Sequence, residues 1–374
     1  MPSHGRRPLF AYPGQVAGKQ HCVVAFLLVV VGAGLVALAL ADVFYTVLFP
    51  GSGRGPVRRV LSRAVLRAFR LTRHMGRSRA QRAMAYCGPV HVAATLGVWF
   101  VLLLTGWAAI YRPALGSGVV AATGTTQRTW ATALYYSGYT LTTLGLGDIV
   151  AVTPAYRAVT VVEAATGFIS FTLVISYFVS VYTTLTARNA FALALHQRSG
   201  GTGRGVDVVR ALVLEGPTAA SLHLAEVAGE LRRLVQTDAS YPVLRSFHYR
   251  RDYDALPQIL QTCWETVTLL QTTVAPDAAR PELHGSSVSE MAACAEQMCA
   301  RIAGAPPSDT AAPTSDHDAW MAQHASMAAD LAAAGSPVRS NAAAAYVAAR
   351  EVWSPALDAL AHDLLYQWPR PGEH

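Results

Sequence analysis

The sequence predicts an all-α membrane protein with three transmembrane helices followed by a helical cytoplasmic domain. Its 374 residues are 52% hydrophobic and only 14% charged, and both values depart from the soluble average toward the membrane class. Charge is unevenly spread: residues 1–188 hold 17 basic and 3 acidic groups, whereas residues 189–374 hold 13 basic and 20 acidic groups. This asymmetry indicates a membrane-embedded first half with basic flanks and an acidic second half in water.

Three apolar stretches exceed the roughly 20 residues that a helix needs to cross the hydrocarbon layer. They run from about Cys22 to Phe49, from Val90 to Tyr111 and from Ala158 to Leu185. Between the second and third lies Arg128–Tyr139, about a dozen helical residues or roughly 18 Å, half the thickness of a bilayer. Such a half-helix is tolerated only where protein shields it and the backbone that follows lines a watery path. We therefore expect a re-entrant helix.

Arginine placement predicts the orientation. The loop of residues 54–82 carries ten arginines and no acid, whereas the opposite loop, Arg112–Arg128, carries arginine only at its two ends. By the positive-inside rule the first loop is cytoplasmic. The N-terminus then lies outside, the re-entrant segment enters from outside, and the C-terminal half is cytoplasmic. We expect a multi-pass protein of the plasma (cell) membrane.

The eight residues Thr142–Ile149 (TTLGLGDI) follow the predicted half-helix. Gly145 and Gly147 permit backbone angles that a side chain would make costly. An extended segment of this kind can point its carbonyl oxygens at one axis and replace the water shell of an ion. Its place in an apolar hairpin gives the short G-x-G-D pattern its weight.

The run from Thr129 to Leu141 (TWATALYYSGYTL), with the TLGLG segment after it, resembles the pore module of the simplest bacterial potassium channels. The likeness continues without a gap to about residue 185, and the chain adds a leading helix to this two-transmembrane, pore-loop type. The resemblance implies that Arg128–Tyr139 is a pore helix, that residues 143–147 form a selectivity filter, and that the third span is the pore-lining inner helix.

The resemblance also assigns roles to individual residues. Thr143 would give a hydroxyl and a carbonyl to the innermost ion site, and the next four residues would give carbonyls only. Asp148 would form the filter mouth and concentrate cations. The implied ion-binding residues are Thr143, Leu144, Gly145, Leu146 and Gly147, with potassium held at the first four, and the implied hinge or gate residues are Gly167, Phe168, Phe171 and Ile175.

Three positions depart from that pattern. Leu146 stands where tyrosine is usual, so no hydroxyl braces the filter from behind, and Leu144 stands where valine or isoleucine is usual. Tyr139 replaces a glutamate that would partner the aspartate, so Asp148 needs another donor, such as Trp130 or a water. Because the ion ligands are backbone oxygens, coordination survives the changes at Leu144 and Leu146.

One pore loop cannot enclose an axis, so we expect a homotetramer. The implied function is passive potassium conduction, with K+ as the permeant ion, no organic cofactor, membrane lipids as surroundings and no nucleic-acid partner. No catalytic constellation appears, so we predict no enzyme. Two alternatives stay open: a weakly selective cation channel, and a non-conducting sensor whose pore fold only assembles the chain. A cytoplasmic regulator of unknown identity would bind at residues 206–366.

Two features of the membrane half have more than one interpretation. Arg67, Arg70 and Arg73, within the arginines of residues 58–77, are spaced by three as in a voltage-sensing helix, but an amphipathic helix on anionic headgroups is the simpler interpretation, since only Asp42 is available as a counter-charge. Asp42 lies in the first span, where an ionisable group is a functional candidate by default. It could instead bond Thr46 or an arginine.

We divide the chain into an N-terminal tail with the first span (1–53), a basic cytoplasmic linker (54–85), the pore module (86–188) and a cytoplasmic, mostly helical domain (189–374). Within the last, the glycines of residues 200–205 lack the preceding strand of a nucleotide loop and predict a flexible linker. Helices are expected over Val206–Val235, Leu256–Val274 and Asn341–Tyr366, and the alanine, proline, serine and aspartate content of residues 276–318 indicates the end of a unit.

Overall fold

The computed structural model describes residues 13–49, 56–70, 83–247, 252–277, 279–303 and 317–363. The chain forms two compact units, one of residues 1–60 and 93–178 and one of residues 61–92 and 179–374. Each is described by itself. Arg73 and Arg77, and the predicted end of the closing helix at 364–366, lie outside the described residues.

Among the described residues, three helices are long and apolar enough to cross a membrane, over Cys22–Val47, Cys87–Ala114 and Pro154–Arg198. The predicted membrane fold is therefore confirmed, although the third helix extends further at both ends than its apolar stretch indicated. The helices and strands of this half are α1 (Pro13–Val47), α2 (Pro56–Arg70), α3 (Cys87–Tyr111), β1 (Val119–Ala121), α4 (Trp130–Leu141), β2 (Ile149–Ala151) and α5 (Pro154–Arg198).

The leading helix α1 packs closely on α3. A Cβ added at Gly32 would stand 2.5 Å from the Gly106 carbonyl oxygen, and one added at Gly106 would stand 2.9 Å from the Gly32 carbonyl oxygen. Small residues at both positions allow the backbones to approach, which is how helices commonly associate in lipid. The additional span is thus a packed part of the first unit.

Asp42 is fully buried in α1 and has two defined partners. One carboxylate oxygen accepts a hydrogen bond from Trp99 Nε1 at 2.8 Å, and the other accepts from the Val57 backbone N–H at 3.1 Å. Thr46 is not a partner, because its Oγ1 has no hydrogen-bond partner in the described part of the chain. The expected bond to an arginine of the loop concerns side chains that lie mostly outside the described residues. Asp42 fixes the first turn of α2 to α1 and α3.

The second unit is a helical bundle with one apolar core that includes Leu231, Leu260, Trp264 and Tyr346. The predicted helix at 206–235 is broken by Gly216 and Pro217, and residues 276–318, whose composition indicated the end of a unit, contain a helix at Ser286–Ala303. The remaining helices are α6 (Gly205–Leu214), α7 (Pro217–Ser240), α8 (Leu256–Thr272), α9 (Ser286–Ala303), α10 (His317–Ala333) and α11 (Ala342–Asp363).

The glycine-rich segment between α5 and α6 is an ordered turn, so the prediction of a flexible linker was wrong. Gly203 accepts a hydrogen bond from Thr262 Oγ1 at 2.6 Å, and the Gly205 N–H donates to Glu265 Oε2 at 2.7 Å. A Cβ at Gly205 would stand 2.7 Å from the Glu265 side chain, so only glycine fits. Helix α8 therefore holds the turn that follows the long helix α5.

Candidate functional site

The half-helix predicted at Arg128–Tyr139 is α4, displaced by two residues to Trp130–Leu141. Thr129 sets the start, because its side chain accepts a hydrogen bond from the Thr132 backbone N–H at 3.1 Å. At the other end Thr142 caps the helix through its own N–H, which donates to the Gly138 carbonyl at 3.1 Å. The segment of residues 143–147 follows without any regular structure.

The backbone N–H groups of that segment point back to the end of α4. Thr143 N–H donates to the Thr140 carbonyl at 2.9 Å, and Leu144 N–H donates to the Tyr139 carbonyl at 2.8 Å. Gly145 N–H shares the Tyr139 carbonyl at 3.4 Å. In the described part of the chain no hydrogen bond is made to the carbonyl oxygens of residues 143–147. The N–H groups of residues 143–145 therefore hold this backbone in position, and the carbonyl oxygens are free to bind a ligand.

The backbone conformation alternates along the same segment. Thr143, Gly145 and Gly147 have φ values of +57°, +57° and +79°, whereas Leu144 and Leu146 do not have positive φ. In an ordinary strand successive carbonyls point to opposite sides, but alternation of left- and right-handed conformations turns successive peptides the same way. Positive φ at a β-branched residue such as Thr143 is an outlier of the kind found at binding sites.

The backbone after the segment is held by a short sheet. Strand β2 pairs antiparallel with β1, with Val120 opposite Val150. The pairing is extended by the Ala122 N–H, which donates to the Asp148 carbonyl at 2.8 Å, and by the Val152 N–H, which donates to the Gly118 carbonyl at 2.9 Å. The loop before α4 thus anchors both ends of the turn that carries Asp148.

A tyrosine of α4 braces the same turn, since the Tyr139 hydroxyl donates a hydrogen bond to the Ile149 carbonyl. Tyr135 lies near the Asp148 carboxylate. In the described part of the chain no hydrogen bond is formed from Trp130 to that carboxylate, so the donor expected from Trp130 is not found within this chain.

Behind α4, Glu163 of α5 is fully buried. Its carboxylate accepts a hydrogen bond from Ser137 Oγ at 2.6 Å, and the buried Tyr111 lies beside it. Gly167 lies one turn further along α5, where an added Cβ would stand 1.9 Å from the Leu141 carbonyl oxygen. The end of α4 therefore rests directly on the α5 backbone.

The residues predicted to line a cavity or gate lie on the open surface of α5. Phe168 and Phe171 are each 66% exposed and Ile175 is 48% exposed in the single chain. Spacings of three and seven residues place the three on one helical face. The structure does not bring them together with residues 143–147 through any contact within the chain, and their role stays a prediction, as does ion binding at 143–147.

In the second unit, residues 242–247 contact the first turns of α3 and the last part of α5. The buried Arg188 of α5 donates to the Leu244 carbonyl at 2.9 Å. His91 Nδ1 of α3 lies 3.1 Å from Ser246 Oγ, and a Cβ at Gly88 would stand 2.5 Å from the Phe247 ring. Residues 242–247, which we call the wedge, thus join α3 and α5 within this unit.

Comparison with known proteins finds a family match and a relative. Residues 97–184 match the family model described as an ion channel. The chain is 24% identical over 262 residues to the uncharacterized membrane protein YdjJ of Bacillus subtilis (strain 168), which covers 68% of this chain and 73% of that protein. No solved structure matches the chain. The match at 97–184 includes α4, the segment of residues 143–147 and the exposed face of α5.

The half-helix, the irregular backbone held at its end and the long helix behind it are the parts that a pore loop needs. The family match and the apolar helices support a membrane protein with an ion-channel segment. Residues 97–184 are similar to the family of two-transmembrane, pore-loop ion channels.

Proposed function

We propose that the chain assembles as a homotetramer in the plasma membrane and passively conducts potassium through residues 143–147. The proposal rests on one observation: the N–H groups and the carbonyl oxygens of the filter backbone differ in their partners. Its first three N–H groups bond to the end of α4, while its carbonyl oxygens accept no hydrogen bond in the described part of the chain. A column of free carbonyls can replace the hydration shell of K+.

The exposure of the filter supports four copies around an axis. All residues from Thr142 to Asp148 are exposed in the single chain, including Leu144 at 65% and Leu146 at 54%. Irregular backbone with unpaired carbonyls cannot face lipid, so it must face protein or a water-filled path. Four chains satisfy both needs, since their filters face one another and enclose the path.

The tyrosine brace supports selectivity for potassium. Leu146 cannot hydrogen-bond behind the filter, but Tyr139 holds the adjoining turn from α4. A filter whose carbonyls are kept at fixed spacing favours the ion that fits that spacing. The rival is a weakly selective cation channel, favoured by the lack of any hydroxyl on Leu144 and Leu146 themselves. Asp148 at the mouth attracts cations in either case.

Orientation and regulation complete the proposal. The arginine-rich residues 54–82 face the cytoplasm, and with them the acidic C-terminal half. We propose that a cytoplasmic regulator binds that half, at residues 206–366, and that the half has no enzymatic activity. The wedge supports this, because Phe247 and Leu244 contact the helices that flank the inner end of a pore domain.

The proposal is tested by ion flux from the purified chain in liposomes under a potassium gradient, with sodium and then barium as challenges. We expect potassium flux that excludes sodium and is blocked by barium. Gly145→Val should abolish the flux without changing assembly, because a β-branched residue is strained at a φ of +57°.

The other outcomes identify the rivals. Equal potassium and sodium flux would favour the weakly selective channel. Absence of flux from a correctly assembled chain would favour the non-conducting sensor, and undiminished selective flux from Gly145→Val would contradict the filter assignment. Phe247→Ala in the same assay tests regulation, since a wedge without influence on the pore leaves the flux unchanged.

A further inference from the structure

Helix α2 carries a stripe of arginines that the pore does not use. The helix contains five arginines and no acid. At 100° per residue, positions 59, 63, 67 and 70 fall within an arc of about 80° on one side of the helix. We call these positions the arginine stripe. Arg63 and Arg67 are exposed, and no ion pair in the described part of the chain involves either.

The opposite side of α2 is apolar and faces protein. Val65 is buried, and Val57 and Leu61 are half-buried. The helix therefore has its apolar side already occupied, and its charged side is the one that remains open. Val60, at 68% exposure, borders the stripe with an apolar side chain.

The start of α2 is fixed at the end of a membrane span. Asp42, which accepts the Val57 N–H at 3.1 Å, lies within the span Cys22–Val47, five residues before its end. Arg63 is six residues beyond Val57, which is at most about 9 Å of helix rise. The headgroup layer is roughly 5–8 Å thick on each face, and charges interact over a Debye length of about 8–10 Å. Arg63 is therefore within reach of lipid headgroups whatever the tilt of α2.

We propose that the arginine stripe of α2 binds the headgroups of anionic lipids at the membrane face where the first span ends. A guanidinium group pairs with a phosphate through two parallel hydrogen bonds, and the stripe repeats this group along one side of a helix. The partner is a lipid rather than a free anion, because the bond between Asp42 and Val57 keeps the stripe beside the bilayer. The assignment is independent of which ion the pore conducts.

The test measures lipid binding by the purified full-length chain in mixed micelles. Phosphatidylglycerol with a fluorescent tail is compared with phosphatidylcholine carrying the same tail, by fluorescence polarisation. We expect preferential binding of phosphatidylglycerol that weakens as salt is raised. The variant Arg63→Gln with Arg67→Gln should lose the preference about 30-fold, since each arginine near an anionic surface contributes about fivefold.

Two matched variants separate the stripe from general charge. Arg63→Lys with Arg67→Lys keeps the charge but loses the paired hydrogen bonds, so it should keep only part of the preference. Arg210→Gln with Arg233→Gln removes the same charge from α6 and α7, where these arginines pair with Asp207 and Glu230, and should leave the preference unchanged.

Three results would overturn the proposal. They are an unchanged preference after Arg63 and Arg67 are both replaced by glutamine, an equal loss in the Arg210 and Arg233 variant, and displacement of the labelled lipid by the same concentration of inorganic phosphate. If the glutamine variant does not fold, the unmodified chain still decides, because a preference that is independent of salt contradicts a site made of arginines.

Discussion

Thr143 combines a strained backbone conformation with an unpaired carbonyl in the proposed filter. A β-branched side chain at a φ of +57° costs on the order of 1–3 kcal/mol, and that strain persists only where neighbouring contacts fix the backbone. Here the fixing contacts are the bonds from Thr143, Leu144 and Gly145 to the carbonyls at the end of α4. The free energy of these bonds offsets the strain and leaves the carbonyls of the same residues unpaired.

Tyr139→Phe tests the brace on the filter mouth. The variant keeps the ring but removes the hydroxyl that donates to the Ile149 carbonyl, a loss of about 1 kcal/mol. We expect conducting periods about fivefold shorter in single-channel recordings, and more sodium current. Tyr136→Phe is the matched control, because its hydroxyl bonds Thr160 Oγ1 at 2.7 Å, away from the filter. Equal behaviour of the two variants would contradict the brace.

At the scale of elements, the pore domain depends on the contact between α4 and α5. The end of α4 rests on Gly167, and Ser137 of α4 bonds Glu163 of α5. Gly167 thus has a packing role in addition to the hinge role that the sequence predicted. The two roles make different demands, since a hinge needs flexibility and a close approach needs only the absence of a side chain.

Gly167→Ala distinguishes these roles. Alanine suits a helix better than glycine, yet its Cβ would stand 1.9 Å from the Leu141 carbonyl oxygen. We expect overpacking to lower the free energy of unfolding by about 1–3 kcal/mol and to displace the filter. Gly97→Ala in α3, where no atom lies within 4 Å of the added Cβ, should not lower the melting temperature. An unchanged melting temperature for Gly167→Ala would contradict the packing role of Gly167 and leave only the hinge role.

The turn after α5 gives a pH-dependent stability. Burial raises the pKa of Glu265 above its ordinary value of 4.5, although Arg350 and the Gly205 N–H oppose the shift. The folded chain therefore holds a proton on Glu265 that the unfolded chain releases, so stability falls as pH rises from about 4.5 toward the folded pKa. Thermal unfolding at a series of pH values should show this slope reduced in Glu265→Gln. Parallel pH profiles for the two chains would contradict the assignment.

The sequence predicted elements better than contacts. The three spans follow from apolar length, and α4 from its short run before TLGLG, because both are local properties. Helix α9 has apolar residues at helical spacing, but the alanine, proline, serine and aspartate content of residues 276–318 obscures this signal in the sequence. The contacts of Asp42 with Trp99 and of Thr262 with Gly203 join residues 57 and 59 positions apart. Such pairings depend on tertiary packing, which periodicity does not encode.

At the scale of the whole molecule, the two halves of the chain differ in charge and in structure. The basic first half contains the spans and the acidic second half forms a helical bundle. Each chain supplies a single proposed filter segment, whose carbonyl oxygens are unpaired within the described part of the chain, so several copies must meet at these oxygens to enclose an ion. Four copies would surround the ion with four carbonyl oxygens from each of residues 143–147.

The most direct test of this central claim is a structure of the full-length chain in lipid, determined with thallium in place of potassium and with anomalous scattering recorded. The account predicts four chains around one axis and a row of thallium peaks on that axis, level with the carbonyl oxygens of residues 143–147. A fourfold axis without peaks at those carbonyls, or an assembly whose filters do not face one another, would contradict it.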